Sequence, residues 1–191
     1  MRQQLMGYVS AFPQNTIFLS LLEWFDSGLR VVDETRQLLR DQCLTPSEDS
    51  LSGRVFAIRH EMERGNINST KAAFEQAVNS DACRSSVLIW IWYIQFSYAH
   101  KSLRPKVKDL FYRALRNCPW SKEVMMQAFT TLIRIMESDE LRAVYDTMTS
   151  KGMRIHVEMD DFSSSDSIMR TRVVNACIIT SFDHGQFLSA L

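Results

Sequence analysis

Two stretches of this chain repeat 37 positions apart. Lys71-Ala72-Ala73-Phe74-Glu75-Gln76-Ala77-Val78 matches Lys108-Asp109-Leu110-Phe111-Tyr112-Arg113-Ala114-Leu115 at Lys, Phe and Ala, and preserves size at the last position. A weaker third copy places Leu141, Val144, Tyr145 and Met148 on one helical face, with Tyr145 34 positions after Phe111. A period in the mid-thirties that holds two helical patterns per unit is the mark of an all-α chain built as an α-solenoid of antiparallel helix pairs. Neither helix of such a unit can bury its apolar stripe alone, so neighbouring units stack into one core. Phe74, Phe111, Trp90, Tyr93, Phe96, Phe129 and Tyr145 are read as the large plugs of that core. Ala77 and Ala114 are read as the small positions that let backbones approach.

The helical patterns pair along the chain. Residues 16–27 carry Ile17, Phe18, Leu21, Leu22 and Phe25 after the turn Phe12-Pro13-Gln14-Asn15, and Gly28 separates them from a partner at 29–43. A second pair sets Val55, Ile58 and Met62 on one face, stops at Gly65-Asn66, and continues through Lys71 to Val78. The third has Trp90, Tyr93 and Phe96 on a helix over 86–100, read as interior because it is apolar nearly all round. Its partner begins at Pro105, where a missing N–H costs nothing. In the fourth, Ser121 is the expected N-cap, Trp120 and Met125 have the spacing of a hydrophobic staple, and Met125 to Met136 form the stripe. Ser138 is expected to cap the next helix, which Lys151-Gly152 ends. These readings give a repeat domain over 1–162 and a poorly structured tail over 163–191.

Composition excludes several classes. Formal net charge is zero over 191 residues, which argues against wholesale coating of nucleic acid. Cys43, Cys83, Cys118 and Cys177 are scattered, with no CxxC pair, so neither a zinc site nor a redox motif is signalled. Reduced, partly buried thiols are expected. Met1-Arg2-Gln3-Gln4 leads into mixed polar sequence rather than a secretory signal. The most apolar run, Val87 to Ile94, is far short of the roughly 20 residues of a membrane span. His60, His100, His156 and His184 stand apart, and His60-Glu61-Met62-Glu63-Arg64 lacks the second histidine of HExxH. With no phosphate loop, no G-x-S-x-G and no acid/base cluster, the chain is read as no enzyme, with no cofactor and no metal.

Charge is concentrated in one place. Lys101, Arg104, Lys106, Lys108, Arg113, Arg116 and Lys122 face a single acid, Asp109, which gives a local excess of six positive charges. On a helix, Lys106, Lys108, Arg113 and Arg116 fall on the side away from Phe111 and Ala114. Tyr112 lies beside them and could stack on a base. The face reads either as a patch for RNA phosphates or an acidic partner, or as a solvated helix surface.

The spacing Trp90-x-x-Tyr93-x-x-Phe96, followed by Phe111-Tyr112-Arg113-Ala114-Leu115 and Pro119, resembles the half-a-TPR (HAT) repeat of RNA-processing scaffolds. Ser97 stands where such repeats often carry an acid. The run Leu103-Arg104-Pro105, Leu110 to Leu115 and Cys118-Pro119-Trp120-Ser121-Lys122, with Met148 to Gly152 and Arg154-Ile155, resembles the C-terminal region of the nuclear-RNAi-defective (NRDE-2, necessary for RNA interference) family. The resemblance covers roughly 12–162. It implies a nuclear, non-catalytic helical scaffold in small-RNA-mediated silencing and RNA processing, linked to heterochromatin and splicing. It further implies splicing factors and an exosome-linked RNA helicase as partners, and a homodimer as one assembly such arrays form. The family's N-terminal region, which docks the helicase, is outside this chain. Direct RNA binding by the basic face at 104–116 is the alternative.

Overall fold

The computed structural model describes residues 1–27, 32–45 and 47–153, whose regular elements are all helices, with no strand among them. In order they form α1 (Arg2–Ala11), α2 (Thr16–Ser27), α3 (Val32–Leu38), a π-helical turn (Leu39–Cys43), α4 (Leu51–Glu63), α5 (Ile67–Asn79), α6 (Val87–Ala99), a 3-10 turn (Arg104–Lys106), α7 (Val107–Asn117), α8 (Lys122–Thr130) and α9 (Ser138–Ser150). The chain divides into two compact units, Met1–Ile89 and Trp90–Leu191. The tail expected over 163–191, and the boundary at 162, lie outside the described residues.

In the first unit α1 packs on α2, α2 on α3 and α4, and α4 on α5. The core joins Val9 of α1 to Leu19 and Leu22 of α2, Leu38, Leu39 and Cys43 at the α3–π junction, and Phe56 of α4. Helix α1 escapes the sequence pattern because it contributes one fully buried residue, Val9, with Leu5 and Met6 only packed against the core. It is fastened by charge as well. Arg2 forks onto the buried Asp26 through Nε (2.8 Å) and Nη2 (3.2 Å), and the Thr35 hydroxyl donates to the same carboxylate. Because α1 covers Leu19 and Leu22, the side of α2 left toward solvent carries Ile17 and Leu21.

Helix α4 departs from the expected face. Val55 and Met62 are only half-buried, while Gly53, Phe56, Ile58, His60 and Glu61 are buried. The rotation follows from polar partners that apolar periodicity cannot register. Glu23 of α2 accepts from Arg59 Nη2 (2.7 Å) and is bonded to His60 Nδ1, and Arg36 of α3 forks onto Glu61 (2.7 and 2.9 Å). Burial alone would raise the Glu23 pKa. The hydrogen bond from His60 and the charges of His60, Arg59 and Arg64 outweigh it and hold the carboxyl below its ordinary range. Asn66 caps α5 by accepting from Asn68 and Ser69, and Gly65 supplies the positive φ of 71° that ends α4.

In the second unit α7 packs on α8 and α8 on α9. Trp90, Tyr93 and Phe96 of α6 are all buried, as is Ser97. The helix is not interior on every side, since Leu88 is 57% exposed. Met125, Ala128, Phe129, Leu132, Ile133 and Met136 are buried as the stripe requires, but α8 itself stops at Thr130. Two adjacent β-branched threonines crowd that end, and the Leu132 N–H reaches back five residues to Gln127 O (2.9 Å), opening the turn. Ser121 caps α8 by accepting from Val124 N–H, as expected, but Trp120 is 62% exposed and does not close a staple on the buried Met125. Glu137, not Ser138, caps α9. Its side chain takes the backbone N–H of Glu140 while Glu140 takes its own, a reciprocal box that Ser138 could not close because Leu141 would stand at its third position. Gly152, at φ 71°, ends α9 with the paired bonds of a Schellman motif, Gly152 N–H to Thr149 O and Met153 N–H to Met148 O.

The depressed carboxyls set an acid limit on the fold. Glu23 and Asp49 both sit below their ordinary values, so the native state binds fewer protons than the unfolded chain in acid. Their stabilisation is complete above the unfolded value, about pH 4.5 for Glu23, and is lost as pH falls through the lower folded values. The urea midpoint should therefore fall as pH is lowered below that point, and Glu23→Gln should make the fall shallower. An equally steep fall in the variant would remove Glu23 from the account.

Candidate partner surface

The basic stretch is built on α7. Pro105 sits in the 3-10 turn that leads into it, and Val107, Leu110, Phe111 and Ala114 form its buried side. Lys106 and Arg116 lie exposed on the other side, as do Asp109 and Tyr112, the last 37% exposed. Tyr112 meets Phe111 edge-on, with centroids 5.5 Å apart. Burial, and then the negative charge of Glu140, push its phenol above the usual range, so it remains protonated in neutral solution.

Lys108 and Arg113 are about 140° apart around the helix, and each turns to a neighbouring element. Lys108 Nζ donates to Glu140 Oε2 of α9 (2.7 Å), the same oxygen that takes the Glu137 N–H in the α9 cap (2.8 Å). This bond raises the Lys108 pKa, and it and the Glu137 N–H lower that of Glu140. The Arg113 guanidinium lies over the Trp90 ring of α6, 5.7 Å from its centroid. Arg104, upstream, donates to Tyr98 O (3.0 Å) and covers the Tyr98 ring at 4.8 Å. The structure thus spends Lys108, Arg113 and Arg104 on holding α6, α7 and α9 in place. The side chains of Lys101, Lys106 and Arg116 remain exposed with no hydrogen bond or ion pair among the described residues.

The packing residues divide by depth. Phe74, Ala77, Trp90, Phe111 and Ala114 have no exposed surface, and Tyr93, Phe96 and Phe129 are buried. Tyr145 is only half-buried: Val144 and Met148 take the centre of the α9 face and leave it at the shoulder. Cys43, Cys83 and Cys118 are buried free thiols, and burial pushes Cys43 up to about 11 and the other two upward, which leaves all three protonated. Among the described residues no group of three or more His, Cys, Asp or Glu could hold a metal ion, and no helix is long and apolar enough to cross a membrane.

The sequence itself has relatives. The chain is 31% identical over 99 residues to a mouse protein named nuclear exosome regulator NRDE2, and 30% identical over 99 residues to the human protein of that name. Those residues are 52% of this chain and 8% of each relative. The chain is related to the NRDE2 family. No family model matches it, and no solved structure matches it. The shared segment is a small part of each NRDE2 protein, so the likeness concerns that segment and not those proteins as wholes.

The two kinds of cation on and just before α7 should separate in stability measurements. Arg113→Ala removes a cation from the Trp90 face and should cost about 0.5–1 kcal/mol in urea unfolding. Lys106→Glu and Arg116→Glu touch nothing in the fold and should leave the midpoint within error. A loss on Lys106→Glu or Arg116→Glu as large as that on Arg113→Ala would show that those two are not free surface.

Proposed function

We propose that this chain is a non-catalytic nuclear scaffold in RNA processing and small-RNA-mediated silencing, which binds protein partners through HAT/TPR-like helix pairs stacked as a solenoid. The observation that carries the reading is its relationship to proteins named nuclear exosome regulators. The matched burial of Phe74 and Ala77 in α5 with Phe111 and Ala114 in α7 supports the repeat interpretation. The partners in this reading are proteins of exosome-linked and splicing complexes, among them an RNA helicase, and the site of action is the nucleus. Homodimerisation of the array belongs to the same proposal.

Protein partners are favoured over direct RNA contact by the way the basic residues are used. Lys108 and Arg113 already serve α9 and α6, and the remaining cations are few for a phosphate-tracking surface. The test is affinity capture of the tagged chain from nuclear extract, with and without nuclease, read by mass spectrometry. Exosome-linked and splicing proteins should be enriched to the same extent in both arms, and Lys106→Glu with Arg116→Glu should leave the set unchanged. Loss of the set on nuclease treatment would transfer the function to RNA, and no enrichment of such proteins would contradict the proposal.

A further inference from the structure

In the first unit, two clefts of about 200 and 390 Å3 share Arg40, Leu44 and Gln76, and so adjoin as the two arms of a groove beside α5. Its wall is shaped by the π-helical turn. Leu44 N–H bonds to Leu39 O five residues back (2.9 Å), which widens the chain where α3 would have continued. Such turns recur at functional sites because they change the direction of the side chains that follow. Here Leu39 goes into the core while Arg40 stays exposed at the groove.

Three arginines line the groove, and two of them show what this wall accommodates. Arg36 forks onto Glu61 at 2.7 and 2.9 Å, and Arg54 forks onto Asp49 at 2.7 and 3.1 Å. The Arg40 side chain has no hydrogen bond or ion pair among the described residues, so among those residues the groove carries one positive charge without a partner. The exposed amides of Gln76 and Asn79 beside it are likewise unengaged among the described residues. Leu44 and Ala73 supply an apolar strip next to these donors.

We propose that this groove docks an extended acidic segment of a partner protein, with a carboxylate taken by the fork of Arg40 and the segment's polar groups met by Gln76 and Asn79. A planar guanidinium matches a carboxylate through two parallel hydrogen bonds. A single net charge, with no aromatic side chain among the lining residues, provides neither the phosphate neutralisation nor the stacking that a nucleic-acid strand requires. The proposal rests on the reading of the chain as a protein-binding module and specifies one surface and one partner chemistry for it.

The test is fluorescence anisotropy of the full chain with a labelled short peptide of Glu, Asp and Leu. Its Gln/Asn analogue and a short oligouridine serve as competing probes. The acidic peptide should bind, and the amide analogue should bind about tenfold more weakly. Arg40→Glu should weaken the acidic peptide by at least about tenfold, and Arg40→Lys by less, because an ammonium keeps the charge without the fork. Circular dichroism should be unchanged in both variants, since Arg40 is exposed. Failure of the acidic peptide to bind, or equal binding by Arg40→Glu, would overturn the proposal, as would Arg40-dependent binding of oligouridine in preference to the peptide. A negative peptide result leaves the capture from nuclear extract to be judged on its own outcome, so the two readings fail separately.

Discussion

A phenylalanine followed three residues later by an alanine, both without exposed surface, is the constraint on which the helical packing rests. In α5 the pair is Phe74 and Ala77, and in α7 it is Phe111 and Ala114. One helical turn separates the two members of each pair, so the ring fills the space between helices and the alanine sets how close a neighbouring helix can come. The position before each motif is also equivalent in outline. Thr70 and Val107, 37 apart like the motifs themselves, are both buried at the start of their helices. A chain that repeats this geometry must place its remaining apolar side chains on faces that match it.

Charge then fixes what apolar stripes leave undetermined. Asp26 holds Arg2, Glu61 holds Arg36, Asp49 holds Arg54, Glu23 holds Arg59 and His60, and Glu140 holds Lys108. Each links separate elements or closes a loop onto a helix. Asp49 illustrates the balance: burial would raise its pKa, but bonds from Arg54 and Ser80 hold it low. Within the basic stretch from Lys101 to Lys122, Arg104, Lys108 and Arg113 are committed to neighbouring elements, which leaves that surface with few cations for phosphates. That is the physical reason for favouring protein partners over an RNA strand.

The helices with strong periodicity were legible in the sequence, as were the burial of Trp90, Tyr93 and Phe96 and the stop at Gly152. Periodicity reports apolar burial only, and the departures fall where something else decides. Helix α1 buries Val9 alone and depends on the Arg2–Asp26 fork. The face of α4 follows His60 and Glu61, whose partners lie on α2 and α3. Trp120 has staple spacing but stands in solvent, because spacing does not say which way a ring turns. On α7, the outward placement of Lys106 and Arg116 could be read from the helical angle. The engagement of Lys108 and Arg113 could not, because Glu140 and Trp90 are remote in sequence. The π turn and the groove at Arg40 leave no pattern of their own.

The repeat equivalence of α5 and α7 is tested most directly by overfilling its small position in each copy. Urea unfolding of Ala77→Leu and Ala114→Leu should show both variants destabilised, by about 1–3 kcal/mol, because each added side chain meets a neighbouring helix with no space to spare. A large loss in one and none in the other would mean that the two copies share residues without sharing a packing role, and the repeat account would fail.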